Sequence, residues 1–569
     1  MYVLRIALFC AYKNNYNTEE PQSIMESQNT SPSTSQTNTS TSEISELAPI
    51  KSSQRITVMD LLRGFALIGI LLMNIEWFNR PISELLSFDF TETGSNFASS
   101  WLVMVFVQGK FYKLFALLFG MGFAVMLLRA EEVGRPFKAW FSRRMLVLYI
   151  IGLAHMAFFW GGDILHDYAV AGMMLLGVVL LMRTKRLAKR NRPAVFAKIG
   201  FFMMIFPLSI SILVGTIFGA TSDQNDLKKM WVEEVQVAEV TNRMLELAKA
   251  DGSFELSKQQ YEELTKLDEE MVAVDEGEVK SSDAVDNIES DLMLDSEVQT
   301  QDSDIEVNSL KQQGDDSAKV AGDDGSSELT ADEKALNKFE GKQKQAYRYE
   351  REKEALKNKS YWEVTKYRWE YAVKNLPNSL FFGLGIVLPL FLVGYWLVAS
   401  GRMRNIDEHH AFFKVMAVGG MSLGIVLSVG PAMILMHPAG QDSMVINSVA
   451  NSMFYIGQLV LCAGYLGTFA LLSLKPRFQT WFGWLSPLGK MALTNYIMHS
   501  AILSTIFYGY GFNQFGEIPR SEQMLMVVAI IAGQAVVSSL WLKVFNYGPL
   551  EWLWRCATYM KLQPLRKTA

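Results

Sequence analysis

Ten stretches of about 20 mostly apolar residues recur along this chain, and each is long enough to cross a bilayer as a helix. No water reaches the hydrocarbon core to satisfy backbone groups, so such stretches are helical. A shorter apolar stretch, 97–108, carries polar residues and is predicted to be interfacial or re-entrant. We therefore predict an all-α polytopic membrane helix bundle, and the pattern excludes a soluble globular enzyme. The ten predicted spans are 57–78, 111–128, 145–160, 164–182, 195–218, 379–400, 412–436, 448–473, 488–508 and 523–545.

Charge is distributed unevenly, so the formal net charge of −5 and the mean hydropathy of +0.13 describe neither part of the chain. The segment 221–378 holds 38 acidic and 21 basic residues, a net charge of −17, which leaves +12 for the rest. Residues 1–50 are rich in Ser, Thr, Asn and Gln and are predicted to be a disordered extension. The chain thus divides into that extension, a first membrane half at 51–220, the acidic insert at 221–378 and a second half at 379–569.

Basic residues in the short loops predict the orientation. Five Lys or Arg lie between spans two and three and six between spans four and five, whereas the loops 161–163 and 437–447 have none. We expect both termini to be cytoplasmic, the acidic insert to be extracytoplasmic, and the protein to lie in the plasma (inner) membrane. Within the insert, 222–267 and 329–371 have helical periodicity, and 272–325 is predicted to be disordered. We interpret the insert as a solvated insertion, with a cap or docking arm as the alternative.

Polar residues inside a span report on its interior face, because each is costly in hydrocarbon. In the first span Asp60 and Arg63 are three residues apart, on one face and close enough to pair. Asn74 follows Arg63 by eleven residues, about three turns, so it lies on the same face roughly 16 Å further along. This polar stripe links the two ends of the span. A structural ion pair or a snorkelling anchor is the alternative for Asp60 and Arg63.

The motif Asp60-Leu-Leu-Arg63-Gly64, followed by an apolar run to Asn74, resembles the first span of the membrane-bound acyltransferase superfamily, in particular the branch of heparan-α-glucosaminide N-acetyltransferase. Four further motifs resemble the YeiB-like family, domain of unknown function 418. They are Gly109-Lys-Phe-Tyr-Lys-Leu-Phe-Ala-Leu-Leu-Phe-Gly120, Gly162-Asp-Ile-Leu-His166-Asp-Tyr-Ala169, Met491-Ala-Leu-Thr-Asn-Tyr496 and Gly548-Pro-Leu-Glu-Trp-Leu-Trp-Arg555.

The resemblance implies transfer of an acyl group from cytoplasmic acyl-CoA, a co-substrate, to a hydroxyl or amine acceptor such as a glycan on the far side of the membrane. The CoA phosphates then require cations at the inner ends of spans. The candidates are Arg63, with Asp60 beside it, and Arg143 and Arg144, for which a plain topology signal is the alternative.

His166 is the preferred general base, because Asp163 lies three residues earlier on the same face and Asp167 is adjacent. Asn74 is expected to orient an acceptor or donate to an oxyanion, although related acyltransferases with the same spacing have a histidine there. Further candidates for the acceptor site are His155, Asn495, Tyr496 and His499. For each histidine the alternative is a buried polar residue that bonds a neighbouring helix.

The sequence also limits the remaining possibilities. Three distant cysteines and scattered histidines form no metal-ligand pattern, so no metal is expected, and the dispersed basic residues give no support for nucleic-acid binding. A transporter or exporter of a small anionic molecule, lined by the Asp60, Arg63 and Asn74 stripe, is the rival function. A non-catalytic membrane scaffold is a third. The lipid bilayer is the expected surrounding, and a homo-oligomer remains open.

Overall fold

The computed structural model describes residues 57–80, 93–221, 224–251, 330–436 and 443–567. The predicted extension at 1–50 and the middle of the insert at 272–325 lie outside these residues. The described residues fold into helices, with one isolated bridge between Phe545 and Arg566. The helices are α1 Thr57–Asn79, α2 Gly94–Leu102, α3 Phe111–Glu132, α4 Phe137–Phe158, α5 Leu165–Met182, α6 Pro193–Thr221, α7 Gln224–Asp251, α8 Ala331–Leu356, α9 Tyr361–Phe382, α10 Leu388–Ala399, α11 His410–Met436, α12 Met444–Leu472, α13 Pro476–Phe482, α14 Leu485–Lys490, α15 Ala492–Phe507, α16 Arg520–Val544 and α17 Pro549–Tyr559.

The predicted all-α polytopic bundle is confirmed. Across the described ranges, nine helices are long and apolar enough to cross a membrane. The ninth predicted span, 488–508, differs from the expectation: it starts as the short α14, breaks at Met491 and continues as α15, which has only 16 residues. Its side chains at Asn495, His499 and Ser500 are nevertheless fully buried.

The apolar stretch at 97–108 is helical but does not stand alone. Helix α2 continues through a π-helical turn, Val103–Val107, and then meets α3 across a sharp turn at Gly109. Gly109 has φ +77°, a conformation that favours glycine, and a side chain there would collide with the Gln458 amide. The turn directs Lys110 back toward the bundle, where its ammonium group donates to the Met104 carbonyl at 2.9 Å.

Close backbone contact between α1 and α14 fixes the start of the polar stripe. A Cβ on Gly64 would collide with the Leu485 carbonyl oxygen, and one on Gly489 would collide with the Asp60 carbonyl oxygen. Small residues allow helices in a membrane to approach closely and gain van der Waals contact. Both glycines therefore place Asp60 and Arg63 against the start of the broken helix α14–α15.

The two ends of the bundle differ in what covers them. At one end, the arm face, α7 and α8 pack side by side, with Lys334 and Glu233 paired at 2.6 Å, and α9 leads back into the bundle. The arm contacts the bundle where the Tyr361 hydroxyl donates to the Phe158 carbonyl at 2.9 Å. The opposite end, the basic face, carries the arginine-rich loops at 129–144 and 183–192 and the amphipathic helix α17.

The insert contains the predicted helical segments. The first, predicted at 222–267, is helical over Gln224–Asp251, and its remainder lies outside the described residues. The second, predicted at 329–371, consists of α8 and α9, which are separated by a turn at Asn358 with φ +58°. Asn358 and Asn513 bond each other at this turn, so the arm is attached to the loop that precedes α16.

Candidate functional site

A buried carboxylate holds two histidines together near the arm face. Asp163, in the turn between α4 and α5, accepts from His155 Nδ1 at 2.8 Å and from His166 Nδ1 at 3.1 Å. Its second oxygen also accepts from the His166 backbone N–H at 3.0 Å, at the start of α5. All three residues are at least 95% buried. The sequence candidates Asp163, His166 and His155 therefore form one cluster, the His–Asp–His cluster.

The two imidazoles of this cluster face different partners on their outer nitrogens. His155 Nε2 lies 2.8 Å from the Ser500 hydroxyl on α15, whereas His166 Nε2 lies 3.3 Å from the Asp167 carboxylate. Because a carboxylate only accepts hydrogen bonds, each imidazole directs an Nδ1–H at Asp163, and His155 Nε2 is then free to accept the Ser500 proton. His166 lies between two carboxylates, so each of its ring nitrogens can donate to one of them when both nitrogens carry protons.

Tyr496 belongs to the same environment. Its ring centroid is 5.1 Å from that of His155, and its hydroxyl bonds the backbone of Ile164, next to Asp163. Tyr496 and Ser500 are four residues apart on α15 and so lie on one face of the helix. The structure thus brings Tyr496 to the His–Asp–His cluster, as a neighbour that packs on it.

Asn495 and His499 occupy the adjacent face of α15 and bond α16 instead. Asn495 donates to Ser538 at 3.1 Å and to the Leu488 carbonyl at 3.2 Å, and His499 Nε2 bonds Gln534 at 2.6 Å. Both are fully buried. Their bonds join the broken helix α14–α15 to α16. His499 is thus a buried polar residue that bonds a neighbouring helix, which is the alternative given for it in the sequence analysis.

Three arginines lie near the end of the polar stripe that contains Asp60. Arg63 pairs with Asp60 at 2.9 Å, and Arg63 and Arg555 lie near enough to Arg144 for their charges to act on its guanidinium. Arg144 stacks on Trp554 at 3.5 Å, and its Nε is buried without a hydrogen-bond partner among the described residues. We call Arg63, Arg144 and Arg555 the arginine cluster.

Two predicted residues stand apart from these clusters. In the part of the chain that the structure describes, no hydrogen bond joins Asn74 to the His–Asp–His cluster, although Asn74 is buried in α1. Arg143 makes no hydrogen bond or ion pair within the described ranges, so the structure groups Arg144, and not Arg143, with Arg63. No group that could hold a metal ion occurs among the described residues.

Two lysines form a third polar site at the start of α3, directly after Gly109. Lys110 and Lys113 are 0% and 3% exposed, and Lys113 bonds the Gln458 amide oxygen of α12. Both ammonium groups also face rings, Lys110 that of Phe454 and Lys113 that of Tyr455. Neither lysine pairs with a carboxylate within the described ranges, which is unusual for ionisable groups buried in an apolar helix bundle.

Sequence reasoning missed three of these participants. Ser500 had a weak signal, since it follows Tyr496 by one helical turn. Lys110 and Lys113 had a stronger one, since both interrupt an apolar stretch, where an ionisable residue is a functional candidate by default. Only the fold shows that Ser500 meets His155, because these residues are 345 positions apart.

The chain is therefore a polytopic helical membrane protein with a buried His–Asp–His cluster and a separate arginine cluster. Comparison with known proteins supports the YeiB-like resemblance of its motifs: residues 397–561 match the family described as "Protein of unknown function (DUF418)". No solved structure matches it.

Two relatives align over nearly their whole length. The chain is 26% identical over 530 residues to "Uncharacterized protein YxaH" of Bacillus subtilis (strain 168), and this alignment covers 92% of this chain and 99% of the relative. It is 22% identical over 514 residues to "Uncharacterized protein YeiB" of Escherichia coli (strain K12), and this alignment covers 90% of this chain and 98% of the relative. The similarity thus includes both membrane halves.

Proposed function

We propose that the chain is a membrane acyltransferase that moves an acyl group from acyl-CoA at the basic face to a hydroxyl or amine acceptor, such as a glycan, at the arm face. In this proposal the basic face and both termini are cytoplasmic, and the membrane is the plasma membrane. The observation that carries the proposal is the order Ser500 hydroxyl, His155, Asp163. A hydroxyl bonded to an imidazole that a carboxylate orients is the arrangement of an activated nucleophile.

The arginine cluster supports the donor side. Phosphates of CoA are anionic, and a guanidinium can bond two of their oxygens at once. Arg144 has a buried N–H without a partner among the described residues, so an anion there would supply an acceptor. In this proposal the pantetheine arm of CoA extends into the bundle along the polar stripe, from Arg63 toward Asn74.

The His–Asp–His cluster supplies the proton transfers. Ser500 Oγ attacks the thioester carbonyl while His155 Nε2 takes its proton and passes it to the departing CoA thiolate, leaving an acyl-serine. The acceptor hydroxyl or amine then attacks that ester, His155 takes its proton, and Ser500 regains it as the bond to the acyl carbon breaks. This assignment makes His155 the base and leaves His166, between Asp163 and Asp167, as the residue that keeps the carboxylate in place.

The test is acyl transfer by purified protein in nanodiscs with radiolabelled acetyl-CoA. We expect label on Ser500 by mass spectrometry, a loss of about 10²- to 10⁴-fold in His155→Gln, the usual contribution of a general base, and a smaller loss in His166→Ala. His410→Gln, at the exposed start of α11, is the control histidine. Absence of both transfer and CoA release from the intact protein would contradict the proposal.

A transporter of a small anionic molecule is the second candidate, and the lysine pair favours it. Lys110 and Lys113 place two amine groups inside the apolar bundle, without a carboxylate partner in the described part of the chain. Transport predicts anion uptake by proteoliposomes that needs no CoA and is lost in Lys110→Met and Lys113→Met. The acyltransferase proposal predicts no uptake, so the two assays on one preparation separate the candidates.

A further inference from the structure

A strongly basic segment joins α5 to α6 at the basic face. Residues 183–192, the basic loop, contain six Lys or Arg and no Asp or Glu. Arg183 pairs with Glu131 of α3. The other five side chains are exposed, and within the described ranges none of them forms a hydrogen bond or an ion pair; they are Lys185, Arg186, Lys189, Arg190 and Arg192. Five cations are thus available to bind an anion.

The basic loop has a defined backbone, although it carries this charge. The Thr184 hydroxyl donates to the Leu181 carbonyl at 2.7 Å, and Ala188–Arg190 form a turn of 3₁₀-helix. The Leu187 side chain packs against the core of the bundle. The cations therefore extend from a structured segment that is anchored to the bundle.

Contacts within the described part of the chain do not offset the repulsion among these cations. Arg190 and Arg192 lie within three residues of the start of α6, a helix terminus whose partial charge is also positive. Elsewhere at the basic face, Arg144 stacks on Trp554, so that cation has a partner within the chain. Like charges that lie close together are unfavourable, and an anion from outside the chain would relieve this repulsion.

The flanking helices place the basic loop at the membrane surface. Helix α5 has 18 residues and a length of about 27 Å, close to the roughly 30 Å hydrocarbon core of a bilayer. Exposed apolar side chains lie on either side of the loop, Leu181 on α5 and Phe202 on α6, as expected for residues that contact acyl chains. The cations between them therefore lie at the level of the lipid headgroups, whose phosphates carry negative charge.

We propose that the basic loop binds the phosphate groups of anionic lipids in the leaflet at the basic face. A guanidinium can bond two phosphate oxygens at once, and an ammonium group adds a point charge. Because the five cations are exposed to solvent, each contributes little to binding one small anion in solution. A membrane surface instead presents many phosphates to all five, and each cation near such a surface strengthens binding about fivefold. This lipid contact does not depend on acyl transfer.

The experiment measures lipid binding by native mass spectrometry on the full-length protein in a neutral detergent. The probes are phosphatidylglycerol, phosphatidylcholine with the same acyl chains, and glycerol phosphate, which carries the phosphate without acyl chains. We expect phosphatidylglycerol to bind about tenfold or more tightly than phosphatidylcholine, and we expect glycerol phosphate not to displace it. Equal binding of the two lipids would overturn the inference, and displacement by an equal concentration of glycerol phosphate would overturn it in favour of a site for a soluble anion.

Two double variants test the charges of the loop itself. Lys189→Gln with Arg190→Gln removes two of the five charges and should weaken phosphatidylglycerol binding about tenfold or more, since each charge contributes about fivefold. Lys189→Arg with Arg190→Lys keeps both charges and should bind like the unmodified protein. If the glutamine variant also binds like the unmodified protein, the inference is wrong.

Arg404→Gln with Lys414→Gln is the matched control. It also replaces one exposed arginine and one exposed lysine, but Asp407 and Glu408 lie between these two residues and already balance their charge. We expect this control to change phosphatidylglycerol binding less than about twofold. A loss as large as that of the loop variant would overturn the inference, because net charge alone would then explain the binding.

Discussion

Two carboxylates, one buried and one partly buried, bond helix N-termini at opposite faces of this bundle. At the arm face, Asp163 accepts from the His166 backbone N–H at the start of α5. At the basic face, Glu551 accepts from the Leu493 and Thr494 backbone N–H groups at 2.7 and 3.1 Å, at the start of α15. A negative charge at a helix N-terminus is favourable, because it meets unpaired N–H groups and the positive end of the helix dipole.

The carboxylates differ in their remaining donors. Glu551 also accepts from the Thr494 hydroxyl at 2.6 Å, and burial raises its pKa above the ordinary value although these bonds oppose the rise. Burial acts on Asp163 in the same direction, but the bonds from His155 and His166 outweigh it and hold the pKa of Asp163 below its ordinary value. Under the proposed function, the same structural role supports proton transfer only where imidazoles bond the carboxylate, since histidine exchanges protons near neutral pH.

The largest expected effect separates these two carboxylates directly. Asp163→Asn keeps one acceptor oxygen and replaces the other with a donor NH₂, so one of the two buried imidazoles loses its acceptor and the negative charge between them is lost. We therefore expect a loss of about 3–5 kcal/mol in the free energy of unfolding and of about 10⁴-fold in acyl transfer. Thermal unfolding and the transfer assay measure the two losses. If Asp163→Asn unfolds at the same temperature as the unmodified protein, the carboxylate is not what holds the cluster together.

The second prediction uses pH, because the two pKa shifts have opposite signs. The lowered pKa of Asp163 means that its stabilisation is complete above the unfolded-state pKa of 3.8 and is lost as pH falls through the folded-state pKa. The raised pKa of Glu551 means that the folded state binds the extra proton above pH 4.5, so its contribution is lost as pH rises through the folded-state pKa.

Unfolding temperatures measured between about pH 3 and 8 test both signs. Relative to the unmodified protein, Asp163→Asn should flatten the decline on the acid side, whereas Glu551→Gln should flatten the decline that begins above pH 4.5. Parallel pH profiles for the two variants would contradict the assignment of opposite shifts.

Local sequence signals predict most of the helices but not all of the contacts between them. The first span was predicted at 57–78 and is helical over Thr57–Asn79, and the i, i+3 spacing of Asp60 and Arg63 correctly indicated a pair. The break at Met491 was not predicted, because hydropathy runs continuously from 488 to 508. It follows from contacts that α14 makes with α1 and α16, which no local pattern encodes.

The site was partly predictable for the same reason. Asp163 and His166 are three residues apart, so their proximity follows from helical geometry, and the structure adds His155 from the preceding helix. The motifs that contain Thr494 and Glu551 were each recognised, but their meeting depends on tertiary packing across 57 residues. In this chain a motif indicates a residue of interest, and the tertiary contacts show whether that residue bonds backbone N–H groups alone or also bonds histidines.

The smallest expected effect is that of Glu551→Gln at neutral pH. Glutamine keeps a carbonyl oxygen that can accept from Leu493 and Thr494, and it removes a partly buried charge. The loss of charge-assisted hydrogen bonds is destabilising and the loss of the desolvation cost is stabilising, so the two effects oppose each other. We expect a change of about 1 kcal/mol or less in the free energy of unfolding, within the range of a helix-cap substitution, and unchanged label on Ser500. Glu551→Leu removes both acceptor oxygens and should lower the free energy of unfolding clearly more than Glu551→Gln does. If Glu551→Gln instead matches Asp163→Asn in both assays, the carboxylates are equivalent and the imidazoles confer nothing particular on Asp163.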